Sequence, residues 1–595
     1  MFDLSGVKVE MNDMLQCRRE FYKMKEQIKA FLKNYKKEIM DTADQLRNRP
    51  MREETEELFA LFETTGNRLQ YEDVYFERRK YLATFGLACY LEHRPEDLKK
   101  MEEVLRGICA ERCWALPAHV DRKQDPNWKH TVDLFASETA QCVSEIITFL
   151  ENDLSEEIKN MVRQNVEERV FRPFYESEVP YKNWEHGKSN WNAVCAGSIG
   201  SASIYLMKDD PVRLEACLKR ICAALQYFLG SFADDGACME GLGYFTYGMT
   251  YFVGFADQLY QYTNGKIDLL ESEKCKKMAE FQQKCYFSKG RTLSFSDGNS
   301  RDRFRMGLTA YLAMRFSNVS IPNMERAGGF HQDSCYRFMG NYRDIIWTEK
   351  YLEMLESGKM EDKNGVVEAG QVVLPMAQWS ICNAENGNGC ALKGGDNDEP
   401  HNHNDVGNFL FIKGEELLLT DLGAGEYTRQ YFRAETRYKH FGNSSLGHCV
   451  PVINGKAQMP GKEFAADLFE GDGNGTAIVS FSGAYEKGAI ASIVRKTFFD
   501  LKNGSLTVED TFEPSENTVS IEERIISEYK PEIKGNEVII KGEKECCRVL
   551  VENLEGEITY SVHDFSDHHG NHHDIYAISW NVPADATHTS RFVVG

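Results

Sequence analysis

At 595 residues, with 42% hydrophobic and 27% charged side chains, the chain has room for roughly two to four domains with large cores. It is neither a disordered chain nor a small disulfide-stapled module. Lys plus Arg number 70 against 92 Asp plus Glu, and the resulting net charge of −22 argues against any broad surface for nucleic acid or anionic membrane.

No window holds the roughly 20 consecutive apolar residues of a membrane span. The start, MFDLSGVKVEMNDMLQCRRE, lacks the basic, apolar, small-residue order of a secretory signal, so the sequence predicts a cytoplasmic protein. The 17 cysteines are scattered and form no Cys-x-x-Cys pair, which is thiol usage for a reducing compartment.

Glycine placement divides the chain. Only Gly6, Gly66, Gly86 and Gly107 precede Gly187, although the chain holds 46 glycines. Long helices explain that scarcity. Val132, Phe135, Ala136, Val143, Ile146, Ile147 and Leu150 fall mostly at three-to-four-residue steps, and similar patterns run through 20–47, 75–92 and 210–232. From about Val366 the period shortens to strand-like runs such as NFLFI, ELLLTDL, TAIVSFSG, SIVRKTFFD and DIYAISW, punctuated by Gly, Asn and Asp. The expected organisation is a helical domain over 1–325 and an antiparallel β-sandwich over 326–595.

Three segments carry candidate chemistry. In Ser189-Asn190-Trp191-Asn192-Ala193-Val194, an Asn amide can donate to a carboxylate without bearing charge, and the Trp191 indole can stack on a sugar ring; a helix cap is the plainer reading. In Met239-Glu240-Gly241-Leu242-Gly243-Tyr244-Phe245-Thr246-Tyr247, the residues Tyr244, Tyr247 and Tyr251 share one helix face, which is usually core. The glycines before Tyr244 instead suit a tight turn that leaves a phenol at a helix start. Asp235 and Glu240 are the only carboxylate pair to nominate for a hydrolytic reaction.

The third segment is PHNHNDVGNFLFIKGEELLLTDLGAGEY, residues 400–427. In an extended chain His401, His403 and Asp405 would share one face, about 6.6 Å apart. The runs Phe409–Ile412 and Glu416–Leu419 flank Lys413-Gly414-Glu415 as in a hairpin, which folds Asp421 back towards His403. His448 is a third candidate ligand beside His403 and Asp421, because imidazoles plus one carboxylate form a common zinc shell. Arg429, Arg433 and Arg437 recur every four residues and can bind substrate anions or simply be solvated. The tract HDFSDHHGNHHD reads as a hydrated loop.

Taken in order, CWALPAHV (113–120), DLFASETA (133–140), SNWNAV (189–194), MEGLGYFTY (239–247), HNHND (401–405) and GHCVPVING (447–455) resemble the heparinase II/III-like polysaccharide lyases over most of the chain. The resemblance implies an incomplete (α/α) toroid followed by an antiparallel β-sandwich. It also implies Tyr244 as catalytic tyrosine, Asn190 or Asn192 as carboxylate neutraliser and His401 as active-site histidine. Zinc is implied at His403, Asp421 and His448. The residues expected to contact the substrate are Trp191, Glu240, Tyr247, Arg429 and Arg433.

The function expected is β-elimination of a uronate-containing polysaccharide or oligosaccharide. A glycosaminoglycan is the first choice, alginate the second and a non-catalytic carbohydrate-binding relative the third. No nucleic-acid or membrane partner is expected, and a homo-oligomer is compatible with the sequence.

Overall fold

The glycine-poor first half forms helices wherever the apolar spacing called for them. In the computed structural model, which describes residues 5–361, 365 and 367–595 with side chains from Met24 onward, the chain divides into two compact units. One comprises Met1–Gly230, Thr246–Ser272 and Arg303–Gly365; the other comprises Ser231–Phe245, Glu273–Asp302 and Val366–Gly595.

In the helical unit, Ser5–Leu46 packs on Leu69–Glu92. Leu134–Phe149 packs on Asn190–Leu206, which in turn packs on Pro211–Leu229. Met306–Arg315 packs on Phe338–Glu356, and that last helix returns to Ser5–Leu46, as in an incomplete (α/α) toroid. Starts are set chemically: Asp133 accepts from the Ala136 amide at 2.8 Å, and Asp210 caps a helix that opens with Pro211.

The boundary expected at 325/326 needs correction, because the helix Phe338–Glu356 follows it and the helical unit runs to Gly365. Buried Trp347, Tyr351 and Leu355 give that helix its apolar face, but the Gly- and Asn-containing stretch before it hides the periodicity in the sequence. The division also assigns Ser231–Phe245 and Glu273–Asp302 to the second unit, which no linear boundary could anticipate.

In the second unit, every strand pairing is antiparallel. A five-stranded sheet runs Gly370–Leu374, Trp379–Asn383, Gly389–Lys393, Phe409–Lys413, Glu416–Leu419. An eight-stranded sheet has Leu506–Glu513 at its centre, paired with Ser492–Phe499 on one side and His588–Val594 on the other. A four-stranded sheet contains Thr559–Ser566, His572–Val582, Ile521–Ser527 and Val452–Ile453. Strict alternation along Leu506–Glu513 sends Leu506, Val508, Asp510 and Phe512 inward. Val508 and Phe592 of the large sheet, Ile525 and Ile578 of the four-stranded sheet, and Phe409 and Leu418 of the first belong to one core.

A buried ion-pair cluster of Arg495, Asp510 and Glu523 lies inside that core. The fully buried Arg495 donates to Asp510 at 2.8 Å and to the carbonyls of Gly407 and Cys449 at 2.6 Å each. A buried charge is tolerated only when paired and fully hydrogen-bonded, so this guanidinium fixes the backbone beside both histidine-bearing segments.

The histidine tract is not a loop. His563↔Ile575 and Ser566↔His572 pair across a hairpin, leaving only residues 567–571 as its tip. All described cysteines are free thiols, and no described helix is long and apolar enough to cross a membrane.

Within the helical unit the Tyr247 hydroxyl donates to Glu138, and the Arg337 guanidinium lies 4.1 Å from the Tyr247 ring. Burial pushes the Glu138 carboxyl up to about 7, against the opposing pull of Arg337. The folded chain therefore holds this proton more tightly than the unfolded chain, whose carboxyl has the ordinary value of 4.5. The stability it contributes is full below pH 4.5 and is lost as pH rises through about 7. Between those limits the slope is about 1.4 kcal/mol per pH unit. Glu138→Gln should flatten that part of a melting-temperature profile; an unchanged slope would show that Glu138 ionises normally.

Candidate active site and metal centre

The hairpin expected around Lys413-Gly414-Glu415 is present: Lys413 pairs with Glu416 and Phe411 with Leu419, across a register shift. It brings Asp421 back to the histidines. Side-chain donor atoms of His403, Asp421 and His448, all buried, lie within 4.8 Å of one another.

The donor set fits a metal ion. His448 Nε2 lies 2.9 Å from the Gly442 carbonyl and His403 Nε2 lies 3.1 Å from Asp297 Oδ1, so each ring commits Nε2 to an acceptor and turns Nδ1 towards the other members of the group. His403 Nδ1 is buried without a hydrogen-bond partner, and His448 Nδ1 lies 3.2 Å from Asp421 Oδ2. Asn408 donates to Asp421 Oδ2 at 2.7 Å and accepts from the Cys449 amide at 2.9 Å, orienting the carboxylate. Burial lowers the pKa of His403, which favours the neutral form that a metal requires.

The second centre is organised by Asp297, which the sequence reading did not single out. Its Oδ2 receives His401 Nδ1 at 2.7 Å and the Tyr427 hydroxyl at 2.8 Å; its Oδ1 receives His403 Nε2 at 3.1 Å and the Tyr431 hydroxyl. Arg437 stands 3.8 Å away. Burial alone would raise this carboxyl, but the hydrogen bonds from His401 and His403 hold it well below the ordinary range. Burial, then the Asp297 charge, push the Tyr427 and Tyr431 phenols up, so both remain donors.

Two glycines permit the approach. A Cβ on Gly423, at φ 64°, would lie 2.1 Å from the Gly298 carbonyl, so only glycine lets the segment after Asp421 meet the Asp297 turn. Gly241, at φ 96°, turns the chain into the helix Leu242–Tyr262 and leaves Tyr244 in its first turn. The Tyr244 hydroxyl lies 2.5 Å from that of Tyr427, and its ring stacks on His401 with centroids 4.2 Å apart. Because Tyr427 commits its proton to Asp297, Tyr244 donates in this contact and Tyr427 accepts.

The alternation argument for His401, His403 and Asp405 fails in detail. His401 adopts φ 59° in a turn, so the segment is not extended. Both histidines still reach Asp297, one on each oxygen, whereas Asp405 pairs with the buried Lys393.

Other candidate residues are dispersed. Glu240 is buried, its Oε2 3.8 Å from His401 Nε2. Asp235 receives the backbone amides of Met376 and Ala377 at 2.8 and 3.2 Å, which removes it as a partner for Glu240 in hydrolysis. Arg429 is half-buried and Arg433 exposed, while Arg437 donates to the Asn402 carbonyl at 2.8 Å. Thus the three arginines do not share one face.

In the helical unit, Asn190 begins the helix Asn190–Leu206 and is buried, and the Trp191 ring lies edge-on to His119 at 4.7 Å. Asn192 donates its amide to the carbonyls of Trp184 and Glu185 at 3.3 and 2.7 Å. Tyr247 belongs to the Glu138 cluster described above.

Asp297, Tyr427 and Tyr431 escaped the sequence reading for physical reasons. Asp297-Gly298 looks like any surface turn, and its distance in sequence from the histidines hides the contact. The tyrosines Tyr427 and Tyr431 lie four residues apart on either side of Arg429, and that spacing was the one available signal.

Comparison with known proteins agrees with this layout. Residues 389–566 match the family model described as heparinase II/III-like, C-terminal. None of the curated proteins matches the chain by sequence. A heparinase III crystal structure aligns with a TM-score of 0.61 at 14% identity, covering 96% of this chain and 91% of its own. A second heparinase III structure aligns at 0.59 and 13% identity, over 96% and 90%. Heparan sulfate lyase HepC from Pedobacter heparinus aligns at 0.56 and 12%, over 95% and 88%. Residues 389–566 are therefore similar to the heparinase II/III-like C-terminal domain, and the chain shares the helical-toroid and β-sandwich fold of these heparinase structures.

His401 and His403, two residues apart, have different surroundings here, and their loss should differ. His403→Ala removes a candidate ligand and should abolish bound metal, whereas His401→Ala should retain it. Metal analysis of the two purified variants checks this, and equal metal content in both would contradict the assignment.

Proposed function

We propose that this lyase cleaves uronate-containing glycosaminoglycan chains or their oligosaccharides by β-elimination, with Tyr244 as base and acid. The observation that carries the reading is the Tyr244 phenol, stacked on a His401 ring whose orientation is fixed by Asp297. A phenol and an imidazole are the groups that proton transfer at a sugar carbon requires.

The C5 proton of a uronate is weakly acidic because the neighbouring carboxylate is negative, so a neutral donor must stabilise the enolate-like charge as it develops. Asn190 and Asn192 are the two amides proposed for that role. Tyr244, once its hydroxyl proton has been lost to solvent, takes the C5 proton, the released electron pair forms the C4–C5 double bond, and the bond from C4 to O4 breaks. Tyr244 then gives the same proton to O4 and is ionised again, as at the start.

Tyr427 serves both states of that phenol. It accepts from Tyr244 while the phenol is protonated and can turn its own hydroxyl to donate when Tyr244 carries charge. Asp297 keeps its other donors during that change. His401 keeps its Nδ1 proton on Asp297 and presents Nε2, which suits hydrogen bonding to substrate.

Zinc is the metal we assign to His403, Asp421 and His448, by the softness of two imidazoles with one carboxylate. When bound it would supply a structural clamp on the 401–421 segment. Elimination requires no activated water, so the proton transfers stay with Tyr244. A net charge of −22 repels long, heavily sulfated chains at a distance, which favours short or lightly sulfated fragments as substrates.

The test is a panel of hyaluronan, chondroitin, heparan and alginate substrates read by product mass and by ultraviolet absorbance of the conjugated product. A glycosaminoglycan should give an absorbing product, and Tyr244→Phe should remove nearly all of it, a loss of about 100-fold or more, with an unchanged melting temperature. Products carrying added water and no absorbance would mean hydrolysis. Turnover restricted to alginate would move the substrate class while retaining the chemistry.

A further inference from the structure

The histidine-rich hairpin is used neither by the metal centre nor by the elimination chemistry, yet its tip docks on the segment that carries Tyr427, the partner of Tyr244. Its tip is held firmly. Asp567 Oδ1 accepts from the backbone amides of His569 and Asn571 at 2.9 Å each, while Oδ2 receives the Asn571 side chain at 3.0 Å and His573 Nε2 at 3.2 Å. The hairpin is also tied to the segment carrying Tyr427: Asp567 bridges Gly425, and the Glu426 amide donates to the Ser566 carbonyl at 3.1 Å. The Ser566 hydroxyl donates to the Glu426 carboxylate at 3.1 Å, closing the same junction from the side chains.

This docking places the His568 ring edge-on to Tyr427, with centroids 4.4 Å apart, and Tyr427 in turn holds Tyr244 through a 2.5 Å contact. The His569 ring lies 5.6 Å from that of His568, and both residues are exposed.

We propose that His568 and His569 form a subsite for an anionic substituent, a sulfate ester or a carboxylate, on the sugar presented to Tyr244. The proposal rests on the lyase reading above and adds the recognition of substrate charge to it. Imidazoles donate to sulfate or carboxylate oxygens, most strongly when protonated. The adjacent carboxylate, Asp567, is turned inward to its own backbone and His573, which leaves the outer face of the tip to the two rings. Arg437 is occupied by the Asn402 carbonyl and stands against Asp297, so the two rings of the hairpin are further donors beside those of the site itself. In a chain of net charge −22, an acidic sugar depends on such local donors. The rings reach Tyr244 only through Tyr427, so their effect is on affinity and selectivity rather than on bond breaking.

The test compares the full-length protein with its His568→Ala/His569→Ala double variant. Ligands are a sulfated heparan oligosaccharide, its desulfated counterpart and a carboxyl-reduced desulfated analogue, with Kd measured by calorimetry and turnover by product absorbance. A sulfate subsite predicts that the variant binds the sulfated ligand about tenfold more weakly and the other two equally well, with kcat on the desulfated substrate unchanged. A carboxylate subsite predicts equal weakening for both carboxylate-bearing ligands and none for the reduced analogue. Unchanged affinity for all three, or a loss of kcat at unchanged affinity, overturns the proposal. If the wild type makes no absorbing product, the lyase reading falls, while the calorimetric comparison still decides the subsite.

Discussion

A single buried carboxylate, Asp297, holds the site together. It is the common acceptor for His401, His403, Tyr427 and Tyr431, and it reaches them from a turn far away in sequence. An ionised carboxylate in a buried setting is costly unless several donors compensate, and here four hydrogen bonds and a nearby guanidinium do so. The arrangement is reciprocal. Asp297 fixes which nitrogen of each histidine carries the proton, and the histidines keep Asp297 ionised. One oxygen faces the ring proposed to meet substrate and the other faces the ring suited to a metal, so one side chain couples the two centres.

The surrounding fold protects that coupling. Arg495 draws together the Gly407 and Cys449 carbonyls, each close to a candidate metal ligand, and Gly423 allows the backbone after Asp421 to meet the turn of Asp297. These are close-packed, low-tolerance contacts, and their rigidity suits a mechanism that relies on preorganised donors rather than on large motion. Tyr427 adds the one adjustable element, since its hydroxyl can accept from Tyr244 or donate to it by rotating about a single bond.

Much of this was legible in the sequence, for identifiable reasons. Glycine scarcity and three-to-four-residue apolar spacing marked the helices, and alternating runs marked the sheets, because both signals are local. The hairpin that returns Asp421 was legible for the same reason. Asp297 was not, since nothing local distinguishes an Asp-Gly turn at a surface from one folded into a core. The His401 segment misled: alternation implied an extended strand, while the chain makes a left-handed turn and places both rings on one distant carboxylate. The histidine tract misled in the opposite direction, because its polar composition concealed strands paired through their backbones.

The most direct measurement of the central claim is metal content and turnover in the same preparation of an Asp297→Asn variant. An amide preserves the shape but cannot accept the full set of hydrogen bonds, so both histidines should lose their fixed orientation together. The account predicts that bound metal falls by about 10- to 100-fold in affinity and that product formation falls with it, while the helical and sheet content is retained. A folded variant that keeps both its metal and its turnover would show that Asp297 does not link the two centres.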